Sequence, residues 1–270
     1  MIDLPLDPYE VLDTKLRAAG LEVSRVGDTF NLERGGGSKS VAVNVDPTPF
    51  VESLAPEATV DVLHRRLAGY ARGIHHAMLE PEDSEAEDWE FTTAAGDLVA
   101  SVEVDTFAEG VGAVGGSPAY VDSLADDLVV AYILELDFGL RPLTEEQFER
   151  WSATGDRVSS GARSILYHKA QQTDPAEIDG HEVVERLEVG DGYDAARILV
   201  IDDLFFNELS DAARFALPTS EHLLFVRDSG DTAVEQLQTA ARELYDKAVF
   251  PLSSNLFRTD RGRPVPLESE

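Results

Sequence analysis

Leu128-Val129-Val130-Ala131-Tyr132-Ile133-Leu134-Glu135-Leu136 decides how this 270-residue chain is read. The run is strand-sized and falls far short of the roughly 20 residues that span a bilayer. It lacks the alternation of a half-exposed strand, so a central strand covered on both faces is expected. Such a strand needs sheet neighbours and covering helices, and the flanking sequence supplies candidates for both.

Downstream, Thr144-Glu145-Glu146-Gln147 forms a capping box that opens a short helix through Phe148 and Trp151. A second helix is expected over about 156–170, burying Val158, Ala162, Ile165 and Leu166. Val183 to Val189 alternates like a strand, Asp191-Gly192 turns the chain, and 193–209 reads as mostly helical. His222 to Arg227 is a further strand, Asp231 is placed to cap a helix to Ala248, and Phe250 to Phe257 closes the fold as a strand or ordered extension.

Upstream, Asp7 caps a helix with Pro8 at its first position and Tyr9, Leu12, Leu16 and Ala19 on one face. Leu21 to Val26 and Thr29 to Glu33 flank Gly27-Asp28 as a hairpin, and Ser40 to Val45 is a third strand stopped by Pro47 and Pro49. A long helix follows over about 59–79, with Val60, Leu63, Leu67, Tyr70, Ile74 and Met78 at helical spacing. Glu80 to Asp88 carries six acids in nine residues and is expected as an exposed loop. Trp89 to Thr93 and Leu98 to Val104 are expected as a second hairpin. The glycine-rich 110–118 is expected as a crossover between two units, 1–110 and 120–270. Strands mixed with covering helices, without strict alternation, predict an α+β fold.

Composition narrows the chemistry. The absence of cysteine excludes disulfides, thiolate metal sites and cysteine nucleophiles. Met1-Ile2-Asp3-Leu4-Pro5 has neither the basic nor the apolar region of a signal peptide, so the expected location is the cytoplasm. The net charge is −30, and it is unevenly spread. Residues 1–72 contribute −3 and residues 141–270 contribute −11, while 73–140 holds 16 acids and no Lys or Arg. Such a field repels nucleic acid and anionic lipid and favours cations or a basic protein partner.

Familiar site patterns fail on context. Gly110-Val111-Gly112-Ala113-Val114-Gly115 spells a dinucleotide fingerprint, but Gly116-Ser117-Pro118 follows where a phosphate-holding helix is required. Gly35 to Ser40 lacks the first glycine of a phosphate loop, since Leu32 occupies that position. The six histidines show no ligand spacing; His64 and His75 lie about 16 Å apart along one helix. No nucleophile elbow surrounds Ser253-Ser254. No metal or cofactor is implied.

What survives is a short set of residues. Asp126-Asp127 and Asp202-Asp203 read first as element starts or caps. Asp191, Tyr193 and Asp194 form a turn whose Arg197 can pair with either carboxylate, a structural clamp or a ligand-contacting turn. Glu80, Glu82, Asp83, Glu85, Glu87 and Asp88 define an acidic face.

Three stretches resemble an uncharacterised bacterial family, domain of unknown function 1444: ADDLVVAYILEL at 125–136 with LTEEQF at 143–148, GDGYDAARIL at 190–199, and ALPTSEHLLF at 216–225 with PLSSNLF at 251–257. The resemblance covers about 120–258. It departs at Ser220-Glu221, where the family often has an arginine, and in its acidic middle. It implies a cytosolic bacterial protein and carries no catalytic residue across. The residues together point to a non-enzymatic cytoplasmic binding or regulatory protein whose acidic face docks a basic partner. Two alternatives stand beside it. One is a carboxylate-based hydrolase or transferase, with or without Mg²⁺, using Asp126, Asp127, Asp191 or Asp194. The other is an acidic module like a secretion chaperone, by analogy with the layout of 7–79.

Overall fold

The computed structural model describes residues 6–34, 41–55, 58–79, 89–137, 139–205, 208–209, 211–260 and 263–267. The acidic run from Glu80 to Asp88 lies outside them, as do Gly35 to Ser40. The fold is α+β, with three antiparallel sheets and covering helices.

The first layer follows the sequence closely. Helix α1 (Pro8–Ala18) starts where the Asp7 carboxylate accepts the Tyr9 N–H at 2.9 Å. Strands β1 (Glu22–Val26), β2 (Thr29–Arg34) and β3 (Val41–Val45) form a three-stranded sheet. A short helix α2 (Thr48–Ser53) comes next; its prolines open it rather than merely ending β3. Helix α3 (Val60–Ala77) buries Leu63, Leu67, Tyr70 and Ile74 against Leu12, Leu16, Phe30 and Leu32, closing a core whose fully buried members all come from residues 12–78.

Between the layers two expectations are overturned. Residues 89–93 do not form a strand; Phe91–Ala94 is a short helix, α4, and Trp89 instead gives its carbonyl to the Trp151 indole at 2.7 Å. The glycine-rich 110–118 is no open crossover either, because Phe107–Gly115 is a helix, α5, ended by Gly116 at φ 81°. Its glycines serve close approach. A Cβ on Gly110 would lie 2.0 Å from the Tyr70 carbonyl oxygen, and one on Gly73 of α3 would lie 2.1 Å from that of Phe107. The pattern mistaken for a loop is a helix–helix seam.

Strand β6 (Leu128–Leu136) is central, as its sequence requires. It pairs with β4 (Leu98–Val104) on one side, and with β5 (Val121–Ala125) and β7 (Gly139–Pro142) on the other. Every residue of β4 is buried, so both of its faces are covered. Strand β4 thus precedes the expected boundary at 110–120 yet pairs with a strand beyond it. The change of core falls between Met78 and Ala94.

The remainder forms a six-stranded sheet. Helices α6 (Glu145–Arg150) and α7 (Gly155–Ala170) lead to β8 (Ala176–Ile178) and β9 (His181–Leu187). A 3₁₀ turn at Asp194–Leu199 and helix α8 (Ile201–Leu204) occupy the segment expected as mostly helical. Strands β10 (Arg214–Thr219) and β11 (His222–Val226), helix α9 (Asp231–Lys247), and strands β12 (Leu256–Asp260) and β13 (Arg263–Pro266) complete it. Gly230, not Asp231, is the cap residue of α9. Alternation sorts the sheet's faces: Phe215, Leu217, Leu223 and Phe225 enter the central core, while Ala216, Leu224 and Val226 lie under α9 with Leu237 and Ala241.

Candidate functional site

The turn singled out by the sequence becomes a buried ion cluster. Arg197 Nη1 donates to Asp194 at 2.9 Å and Nη2 to Asp191 at 2.8 Å, with the Arg197 and Asp194 side chains 0% and 1% exposed. Asp194 also accepts the Val189 and Gly190 N–H groups, and Asp191 accepts that of Tyr193. Gly190 and Gly192 sit at φ 78° and 86°, which lets the chain fold back over its own arginine. Burial opposes ionisation at both carboxyls. At Asp191 the guanidinium outweighs it and holds the group below the usual range; at Asp194 burial wins and raises it. Burial also pushes the Tyr193 phenol well up. Lys169 adds a cation 3.6 Å from Asp191 and 2.6 Å from Glu135. All four flagged residues therefore converge, and both carboxylates and the Arg197 Nη atoms are engaged in holding the turn.

A second buried network adjoins it. The Ala195 N–H donates to the Ser220 carbonyl at 3.0 Å. Ser220 Oγ accepts from Arg72 Nη2 at 2.9 Å, and Arg72 Nε donates to Glu103 at 2.6 Å. Glu103 is fully buried, and its other oxygen accepts from Ser101 Oγ at 2.6 Å. Sequence reading missed Arg72, Glu103 and Ser220. A glutamate inside the largely apolar Leu98–Val104 strand was the available signal, since a buried charge demands a partner.

Asp126 and Asp127 lie elsewhere, as the two-residue turn between β5 and β6. Asp126 adopts φ 50°, a left-handed conformation that Asp tolerates better than most side chains. Its carboxylate accepts from the Asn255 amide at 3.2 Å, while Asp127 pairs with Arg65 at 2.6 Å. Burial pushes the Asp127 carboxyl up, against the pull of Arg65. Asp202 and Asp203 are exposed on α8. The six acids from Glu80 to Asp88 lie outside the described residues.

A groove runs along α7, with two lobes of about 770 and 450 Å³ that share Asp156, Ser159, Arg163 and Arg263. Tyr132 lines it and donates to Asp122 at 2.5 Å; burial raises this phenol far above neutrality, so it stays protonated. Among the described residues no group of three His, Asp or Glu side chains is placed to hold a metal ion, and no helix is long and apolar enough to cross a membrane. No family model, curated protein or solved structure matches the chain.

Proposed function

We propose that the chain is a non-enzymatic binding protein that docks a basic protein partner through its acidic middle segment. One observation carries the reading: the acids of residues 73–140 outnumber the cations that the fold brings to them, and six of them are concentrated in the nine residues from Glu80 to Asp88. Glu103, Asp105, Asp127 and Glu135 of the acidic segment meet Arg72, Arg66, Arg65 and Lys169, all supplied from outside it. These carboxylates, like Asp191 and Asp194, are engaged by cations of the fold, which counts against their use as free catalytic carboxylates. The run from Glu80 to Asp88 stands in a stretch without any Lys or Arg from 73 to 140.

The described residues flanking that run are hydrogen-bonded to the fold. Met78 gives its carbonyl to Arg34 at 2.9 Å, and the Trp89 carbonyl receives the Trp151 indole. Dense like charge raises the local concentration of a cationic partner and speeds encounter. The test is affinity capture from an extract of the source organism, with stepwise salt elution. A basic protein retained by the intact chain, and lost when the six acids are replaced by Gln or Asn, supports the reading. Equal retention by both chains refutes it.

A further inference from the structure

The Arg72 network opens onto a pocket of about 300 Å³ between α3, the β10–β11 turn and the end of α9. Its donors are prearranged. Nε and Nη2 of Arg72 are bound to Glu103 and Ser220, while Nη1 has no acceptor among the described residues. Ser220 Oγ accepts from Arg72, so its own hydrogen remains to be donated. The Thr219 hydroxyl accepts the Glu221 N–H at 3.2 Å and sits 2.7 Å from His222 Nδ1. With the Thr219 hydrogen given to Nδ1, the ring proton is on Nε2, a further donor. Burial lowers the His222 pKa, which keeps the ring neutral at pH 7. Lys247 stands at the rim and Glu221 is the one acid in the lining.

The rest of the lining is apolar. Leu244 and Phe250 form a wall, the Phe250 ring lies 5.7 Å from the Arg72 guanidinium carbon, and Lys15 fixes the adjoining Val249 carbonyl at 2.6 Å. A guanidinium oriented by a buried carboxylate, beside hydroxyl and imidazole donors, suits a planar oxyanion; the wall suits hydrocarbon. The geometry points to a binding site for a small organic carboxylate with an apolar body, its carboxylate on Arg72, Ser220, His222 and Lys247 and its body against Leu244 and Phe250. This site is independent of the acidic docking segment.

Titrating the intact chain with benzoate, acetate and inorganic phosphate, while following the His222 ring resonances by NMR, tests the assignment. Benzoate should produce a saturable shift and bind more tightly than acetate or phosphate. Ser220→Ala should weaken benzoate by at least about tenfold, the lower end for a hydrogen bond to a charged group, and Lys247→Gln should weaken it also. Glu221→Gln should tighten it. Arg72 is left intact, because its removal would strand Glu103. Overturning results are the absence of a saturable shift with all three anions, tighter binding of phosphate than of benzoate, or undiminished benzoate affinity in a folded Ser220→Ala/Lys247→Gln double variant.

Discussion

Arg197 and Asp194, three residues apart in one 3₁₀ turn, form an ion pair at 2.9 Å from which solvent is almost wholly excluded. Removing one member of such a pair leaves the other charged, buried and uncompensated, at a cost of about 3–5 kcal/mol. Arg197→Met should therefore lower the urea midpoint severely. Replacing Arg197, Asp191 and Asp194 together by apolar residues should restore part of the loss. A midpoint for Arg197→Met close to wild type would show that the turn does not depend on this pair.

The seam between α3 and α5 predicts a contrast between two glycines of one helix. Gly110→Ala places a methyl group against the Tyr70 backbone and should cost about 1–3 kcal/mol, the usual range for overpacking. Gly115→Ala meets nothing within 4 Å and should be neutral or slightly stabilising. Thermal melting of the two variants distinguishes them. Equal effects would contradict the close crossing.

Strand β6 predicts intolerance of charge. Ile133 is 0% exposed between Val99 on β4 and Pro142 on β7, so Ile133→Asp buries a carboxylate without a partner. The cost of several kcal/mol approaches the whole stability of a typical domain. The variant should be insoluble or lack a cooperative melt; an unchanged melting temperature would rule out the placement.

Acid sensitivity should arise from α3. Burial lowers His75 to about 4 and His76 further below its ordinary value, and Arg72 adds to both effects. The unfolded chain then takes up protons near pH 6.5 while the folded chain does not, so stability is intact above about 6.5 and falls as pH drops toward 4. The loss from His75 alone is on the order of 3 kcal/mol. His75→Gln should flatten the acid limb of a plot of urea midpoint against pH. An unaltered limb would place the sensitivity elsewhere.

These predictions also show which features were readable in advance. The Leu128–Leu136 strand, the Asp7 and Thr144 caps and the face of α3 were legible because each is a local pattern with one physical meaning. Helix α5 was misread because glycine signals flexibility and close packing alike, and only Gly73, thirty-seven positions away, decides between them. The Asp191–Arg197 clamp was visible as a short-range pairing. The Arg72–Glu103–Ser220 network was not, because its members come from three elements with no shared motif. The bare excess of acid in 73–140 overstated the open charge, since Arg65, Arg66, Arg72 and Lys169 reach in from other segments.

The proposed docking is tested most directly by association rate against ionic strength, for the intact chain and for one carrying Gln or Asn at Glu80, Glu82, Asp83, Glu85, Glu87 and Asp88. The partner is the basic protein recovered by capture. Exposed charges act through a field screened within about 8–10 Å at physiological salt. The intact chain should associate fast at low salt and slow steeply as salt rises, while the neutralised chain should start slower with a flatter slope. Identical slopes for the two chains would contradict the account and leave the acidic run as a solubilising surface alone.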